Sequence, residues 1–191
     1  MPELLKPNLC VIGAGPAGLT YASLVADGNQ VTVFEKAKRP GGAFRYAGKA
    51  PLFQEVEAND KSFERYVADL TAACVGKGVT FRFGTNVTGQ RGLLAPFDRI
   101  VIATGAQYRY GLGPIAMPML DWGAGRWPGL SQLFSHPKFR DWFYYQARVG
   151  TAERFKQLAK PGQAVVVIGD AVQAGKSKQA ITSAFEAALL G

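Results

Sequence analysis

The sequence predicts an α/β fold, a doubly wound Rossmann-like domain with a mostly parallel sheet. An apolar segment at residues 9–12 runs into a glycine-rich stretch at 13–18, a helical stretch follows at 19–26, and a second apolar strand occupies 30–35. Strand, tight turn, helix and strand in this order form a βαβ unit, whose two strands are parallel. Further valine- and isoleucine-rich segments later in the chain supply the buried strands that such a sheet requires.

The remaining elements follow from apolar periodicity and from turn residues. Residues 111–160 show neither helical nor strand periodicity, and we expect them to be irregular and aromatic. The other expected elements are a loop at 38–42, a helix at 62–74, strands at 79–83, 99–103 and 164–168, and a closing helix at 177–190. We expect a single domain over residues 1–191.

Length and composition exclude several classes of protein. Of the 191 residues, 48% are hydrophobic and 19% are charged, so the chain can bury a core and disorder is not expected. No apolar run reaches the roughly 18–20 residues of a membrane span, and a glycine motif stands where the apolar core of a signal peptide would lie. Cys10 and Cys74 form no CxxC pair and no metal-ligand spacing. We expect a cytoplasmic protein without a metal site.

The glycine motif has the spacing of a dinucleotide-binding turn. Gly13 permits the tight turn, Gly15 lets the backbone approach a pyrophosphate, and Gly18 lets the helix pack on the strand. The helix N-terminus offers free N–H groups to phosphate. Glu35 ends the next strand 17 residues after Gly18, where its carboxylate would accept hydrogen bonds from ribose hydroxyls and repel a 2′-phosphate.

Three further motifs resemble the FAD-binding pattern of the two-dinucleotide-binding-domain flavoproteins, the pyridine nucleotide-disulfide oxidoreductase-like superfamily. They are VFEK at 33–36 with PGG at 40–42, the IATGA strand at 102–106, and VIGDA at 167–171. The resemblance implies FAD rather than free NAD(P), with Asp170 near the ribityl and pyrophosphate groups. It implies these cofactor-binding residues: Gly13, Gly15, Pro16, Ala17, Gly18, Glu35, Lys36, Gly41, Gly42, Val87, Ala103, Thr104, Gly105, Gly169, Asp170, Gln179 and Ala180.

Within that superfamily, residues 169–188 resemble the C-terminal flavoprotein region of 2,4-dienoyl-CoA reductases and trimethylamine dehydrogenase-like enzymes. PGGAF at 40–44 similarly resembles their GGQF motif. The sequence departs from the pattern of these enzymes at Ala43, Ser177 and Phe185. The superfamily carries an NAD(P)-binding domain, on the order of 100 residues or more, between the ATG and GD strands. Here only the 50 residues of 111–160 stand there, without a second GxGxxG, so we expect that domain to be missing.

An aromatic and basic segment takes its place. Ten of the 22 aromatic residues fall within 108–145, including Trp122, Trp127 and Trp142, and residues 109–178 carry ten Lys and Arg against four Asp and Glu. The segment could cap the sheet edge and the flavin, or it could dock a protein partner or second copy through 122–148, and the two roles are compatible. Arg126, Arg140 and Arg148 fit the second role, because arginine is enriched at interfaces. No nucleic-acid signature accompanies the charge.

The remaining motifs and residues give only weak evidence about function. Gly175-Lys176-Ser177 resembles part of a phosphate-binding loop, but the required first glycine is one residue out of place, and an unpaired Asp170 beside a phosphate would be unfavourable. His136 reads as a loop residue, and Arg45 and Tyr46 could lie near the flavin. No catalytic residue is assigned.

These patterns predict a FAD-dependent oxidoreductase or the FAD-carrying electron-transfer subunit of a larger one. Two alternatives remain open at this point. One is a self-contained small-molecule dehydrogenase or oxidase, in which the aromatic segment forms a substrate pocket. The other is a non-catalytic dinucleotide-binding module.

Overall fold

Five parallel strands form the central sheet of the computed structural model, which describes residues 6–47, 60–90, 92–124 and 127–190. The strands of this sheet are β1 (Asn8–Ile12), β2 (Gln30–Glu35), β3 (Thr80–Phe83), β4 (Arg99–Ile102) and β7 (Ala164–Val167). Two further strands, β5 (Ala106–Tyr108) and β6 (Arg148–Gly150), form a separate pair. The helices are α1 (Pro16–Val25), α2 (Phe44–Ala47), α3 (Asp60–Gly76), α4 (Gly113–Asp121), α5 (Leu130–Ser135), α6 (Pro137–Asp141), α7 (Ala152–Lys156) and α8 (Ser177–Leu189).

The strand order is β3-β2-β1-β4-β7, and every neighbouring pair is parallel. This confirms the doubly wound α/β fold. The chain moves outward in one direction from β1 to β3 and then crosses back to place β4 on the other side of β1. In open α/β sheets the crevice at such a switch point, outside the carboxyl ends of the strands, is where ligands bind.

Side chains of the central strands alternate between the two faces of the sheet, as the pleat requires. Val11 and Val101 face a core made with α1, α3 and α8. Cys10 and Ile100 face a second core, which is closed by Val87, Leu94, Phe97 and Phe155. All four of these strand residues are fully buried. Both faces of the sheet are therefore covered, which explains the continuous apolar character of its strands.

The expected elements of the sheet are present within one or two residues of their predicted bounds. Helix α1 begins at Pro16, three residues earlier than expected, because proline fits the first helical turn, where its missing N–H has no partner to lose. The expectation of an irregular segment at 111–160 is wrong. That segment contains α4, α5, α6, a π-helical turn at Trp142–Gln146, β6 and α7.

Strands β5 and β6 form an antiparallel ribbon, with Ala106 opposite Gly150 and Tyr108 opposite Arg148. The ribbon closes residues 109–147 into an insertion with its own small core of Leu120, Phe134 and Phe143. Its helices are short and two of them, α4 and α6, contain proline, so no helical periodicity extends far enough to be recognised in the sequence. Among the described residues, no helix has the length and apolar character needed to cross a membrane.

Candidate dinucleotide-binding site

The turn at residues 13–18, which we call the phosphate turn, joins β1 to α1 at the switch point. Gly13 adopts φ +107° and donates its N–H to the Phe34 carbonyl at 2.8 Å. A Cβ on Gly13 would lie 2.5 Å from the Ala103 carbonyl oxygen, and a Cβ on Gly18 would collide with the Gly13 carbonyl oxygen. These two glycines are therefore required by the packing of β1, α1 and β4.

Gly15 differs from them. Its φ of −82° suits any residue, and the nearest atom to a Cβ built there is Gly42 Cα, at 3.9 Å. It caps the N-terminus of α1, where no side chain bonds to the free N–H groups. Packing within the chain does not require a glycine here, so its lack of a side chain keeps space open at a helix N-terminus, the usual location for an anion.

A second glycine turn, Gly41–Gly42, packs its backbone directly against the phosphate turn. The Gly41 N–H donates to the Ala14 carbonyl at 2.8 Å. Gly42 has φ +52°, and a Cβ there would lie 3.1 Å from Gly15 Cα. Arg45 lies beside this turn and donates its Nε–H to the Gly42 carbonyl at 3.3 Å. The structure thus brings together the two glycine motifs that are more than 20 residues apart in the sequence.

Glu35 lies at the carboxyl end of β2 with only 8% of its surface exposed. Its Oε2 accepts the Ala14 N–H at 2.9 Å, and its Oε1 accepts the Ala37 N–H at 2.8 Å. Each carboxylate oxygen has further lone pairs, so these bonds leave acceptor capacity for a ligand hydroxyl. Glu35 therefore also holds the phosphate turn in place, which the sequence did not indicate. The next residue, Lys36, is exposed.

The turn after β7, Gly169–Ala171, lies between the N-termini of helices α1 and α8. Gly169 has φ +63°, and a Cβ on it would lie 2.9 Å from the Ala17 Cβ of α1 and 3.5 Å from the Ala180 Cβ of α8. The Gly169 N–H donates to the Ser183 hydroxyl at 2.8 Å. The positive dipole ends of α1 and α8 therefore lie side by side at the carboxyl edge of the sheet.

Asp170 is the next residue in this turn, and it has partners. Its Oδ2 lies 3.2 Å from Arg148 NH2, and its Oδ1 accepts the Gly175 N–H at 3.3 Å. Burial raises the pKa of Asp170, while Arg148 and the Gly175 N–H act in the opposite direction. The interpretation of Asp170 as unpaired is wrong, because the antiparallel ribbon carries Arg148 to it from a distant part of the chain.

The other predicted cofactor residues fall at the same edge but differ in what they offer. The Thr104 and Thr151 hydroxyl oxygens are 2.6 Å apart, and Thr151 donates to the Gly105 carbonyl at 2.7 Å. The Val87 side chain is buried in the second core, so only its backbone is available to a ligand. Gln179 accepts the Lys176 N–H at 2.9 Å and so caps α8. No local pattern in the sequence marks Thr151.

The insertion presents part of the surface that the sequence predicts. Trp122 and Trp127 are 74% and 54% exposed, and Trp142 is partly exposed. The basic residues differ from the prediction. The Arg148 side chain pairs with Asp170 and is only 14% exposed, and that of Arg140 is 18% exposed, so neither is the open surface group that a docking role requires. Arg126 lies outside the described residues.

Comparison with known proteins supports the same kind of domain. Residues 11–55 match the family model of the NAD(P)-binding Rossmann-like domain. The chain is 34% identical over 108 residues to the glutamate synthase [NADPH] small chain of Mycobacterium tuberculosis. It is 36% identical over 110 residues to a metal reductase of Desulforamulus reducens. These matches cover 54% and 55% of this chain but only 20% and 15% of the relatives.

Solved structures extend the likeness in fold to nearly the whole chain. A 2-naphthoyl-CoA reductase aligns with 97% of the chain at a TM-score of 0.69 and 17% identity, covering 40% of that protein. Histamine dehydrogenase from Rhizobium sp. 4-9 aligns with 97% at a TM-score of 0.65 and 16% identity, covering 44%. The sequence comparisons thus show a Rossmann-like first half similar to parts of known oxidoreductases, and the solved structures show that the fold is shared over nearly the whole chain.

Proposed function

We propose that this chain binds FAD and acts as a flavin-dependent oxidoreductase module, carrying electrons for a larger enzyme. One observation carries the proposal. Two glycine turns, a buried carboxylate at the end of β2 and the N-termini of α1 and α8 all meet at the carboxyl edge of the sheet, at its switch point. An anionic dinucleotide needs this combination of close backbone approach, positive dipole ends and a ribose acceptor.

The site favours FAD over a nicotinamide dinucleotide because of the turn after β7. The first βαβ unit, which the family model matches, is common to proteins that bind either dinucleotide. Gly169 adds a further turn, packed on Ala17 next to the phosphate turn, and this turn carries the GD motif of the flavoprotein pattern. Glu35 also disfavours NADP, since its buried charge would repel a 2′-phosphate.

The described residues fit such a ligand. Gly15 and the N-terminus of α1 would hold the pyrophosphate, Glu35 the ribose hydroxyls, and Asp170 with the N-terminus of α8 the flavin half. When bound, the flavin supplies hydride and single-electron transfer, and the protein contributes position and electrostatics. The positive end of α8 would stabilise negative charge that develops near it.

We further propose that electrons reach this site from another protein module. The described part of the insertion contains three short helices and a π-helical turn, and no parallel strand pair to hold a nicotinamide. The curated relatives are several times longer than the matched region. The exposed Trp122 and Trp127 offer a contact surface for a partner or a second copy. The single domain over residues 1–191 and the cytoplasmic location both remain predictions.

A spectroscopic competition experiment tests the proposal. The purified protein is incubated separately with FAD, FMN, NADPH and ADP, desalted, and examined by visible absorption and by mass spectrometry under native conditions. We expect one FAD per chain to be retained, with FMN lost on desalting because it lacks the adenylate half. Tight retention of NADPH with no retained FAD would refute the proposal.

A further inference from the structure

The strand that closes the insertion is built against the turn that carries Asp170. A Cβ on Gly150 of β6 would lie 2.6 Å from the Val172 carbonyl oxygen and closer still to that of Ala171. The backbones of β6 and the Gly169–Ala171 turn therefore touch, and only glycine permits the approach. Arg148, two residues earlier on β6, reaches the Asp170 side chain at 3.2 Å. Two independent contacts thus join the insertion to this turn.

Arg148 is held in place from three sides. Its NH1 donates to the Tyr144 carbonyl at 3.3 Å, its NH2 faces Asp170, and its guanidinium lies over the Tyr108 ring at 6.0 Å from the ring centroid. Only 14% of the side chain is exposed. Burial raises the pKa of Tyr108 to about 12, so the phenol stays neutral beneath the guanidinium. Among these neighbours, Asp170 alone supplies the negative charge that Arg148 requires.

We propose that Arg148 is a positioning residue, which from the end of the insertion fixes the Asp170 carboxylate and the turn that faces the dinucleotide. The identity of that ligand rests on the proposed function. The carboxylate, with its second oxygen bonded to the Gly175 N–H, is then a fixed acceptor for ligand hydroxyls. A partner that contacts the insertion could therefore influence the Gly169–Ala171 turn through this ion pair and through the backbone contact at Gly150.

The pair has a consequence that a merely structural contact would lack. Asp170 is partly buried, and burial already raises its pKa. Removing the Arg148 charge takes away the main stabilisation of the carboxylate, so the pKa of Asp170 should rise further. Apart from Arg148 on β6, the titratable group that faces Asp170 in the described residues is Tyr145 of the π-helical turn, whose own pKa is raised by burial and by nearby carboxylates. Neutral Asp170 is a poorer acceptor, so FAD affinity should become dependent on pH.

The test compares Arg148→Met, Arg148→Lys and the control Arg140→Met, which removes a covered arginine of the insertion that pairs with Asp141 instead. The Asp170 carboxyl is titrated by carbon-13 NMR in the protein without FAD, and FAD dissociation constants are measured between pH 6 and 8.5. For Arg148→Met we expect a raised pKa of Asp170 and about tenfold weaker FAD binding at pH 6 than at pH 8.5. Arg148→Lys should restore most of the affinity, and Arg140→Met should match the wild type.

A double variant separates positioning from direct ligand contact. In an Asp170→Asn background, Arg148→Met should cause little further loss of FAD, since Arg148 acts through the carboxylate. Full additivity, or an unchanged Asp170 titration in Arg148→Met, would overturn the proposal. A wild-type protein that binds no FAD would refute the proposed function instead, while the NMR titration would still decide whether Arg148 controls Asp170.

Discussion

Replacing Gly15 with alanine should separate ligand binding from folding. Among the described residues, the nearest atom to a Cβ built at Gly15 lies 3.9 Å away, and the φ of −82° at Gly15 is ordinary. Alanine is a poorer helix N-cap than glycine, which costs roughly 0.5–1 kcal/mol, but it restricts the unfolded chain, which returns roughly 0.4–1 kcal/mol. The free energy of unfolding should therefore change by less than about 1 kcal/mol. By contrast, Gly18→Ala places a Cβ against the Gly13 carbonyl and should cost about 1–3 kcal/mol or more.

Although Gly15→Ala should hardly change the free energy of unfolding, it should weaken FAD binding clearly. The added methyl group at residue 15 occupies the space through which a pyrophosphate approaches the N-terminus of α1, so we expect at least about tenfold weaker binding, or about 1.4 kcal/mol. Denaturant unfolding measures the stability, and flavin fluorescence titration measures the dissociation constant. Gly28→Ala is the matched control, because Gly28 lies in the exposed turn after α1 and no atom of the described residues lies within 4 Å of a Cβ built there. Wild-type FAD affinity in Gly15→Ala would refute the assignment of this turn.

Three further predictions concern Glu35, the two cysteines and the reduction of bound FAD. Glu35→Ala should lower the free energy of unfolding by about 1–3 kcal/mol without ligand, because the buried Ala14 N–H loses its acceptor, and should weaken FAD by a further 1–3 kcal/mol or so; an unchanged dissociation constant would remove Glu35 from the ribose site. Burial raises the pKa of Cys10 to about 12 and of Cys74 to about 11, so a thiol reagent at pH 8 should label both only in denaturant, and rapid labelling of the folded protein would contradict their placement in the core. NADH or NADPH alone should reduce the FAD-loaded chain slowly in anaerobic stopped-flow, because the described insertion offers no nicotinamide site; fast, saturable reduction would contradict the need for a partner.

Local patterns were sufficient to predict the phosphate turn and the sheet. The Gly13 and Gly18 requirements follow from close packing of a strand and a helix that are neighbours in the chain, and the continuous apolar runs of the buried strands are clear in the sequence. The second glycine turn was also identified, because its motif is contiguous. The structure adds the role of each glycine in the phosphate turn. Gly13 and Gly18 are required by packing, whereas at Gly15 the described residues leave room for a side chain.

The contacts made by the Gly169–Ala171 turn and by Thr104 could not be predicted, because they join distant residues through short elements. Arg148 and Asp170 are 22 residues apart, and the Thr104 and Thr151 hydroxyls are 47 apart. The ribbon that brings them together has three residues in each strand, too few to produce a periodic pattern. The sequence therefore suggested that Arg148 is a surface residue of a basic segment, whereas the structure covers most of its side chain and pairs it with Asp170.

The crystal structure of the protein reconstituted with FAD is the most direct test of the central claim. We predict the pyrophosphate at the N-terminus of α1 beside Gly15, an adenosine ribose hydroxyl within hydrogen-bond distance of Glu35, and the flavin half of the ligand beside Asp170 and α8. Electron density for FAD at another surface, or for a dinucleotide that leaves both Glu35 and Asp170 without contact, would contradict the claim.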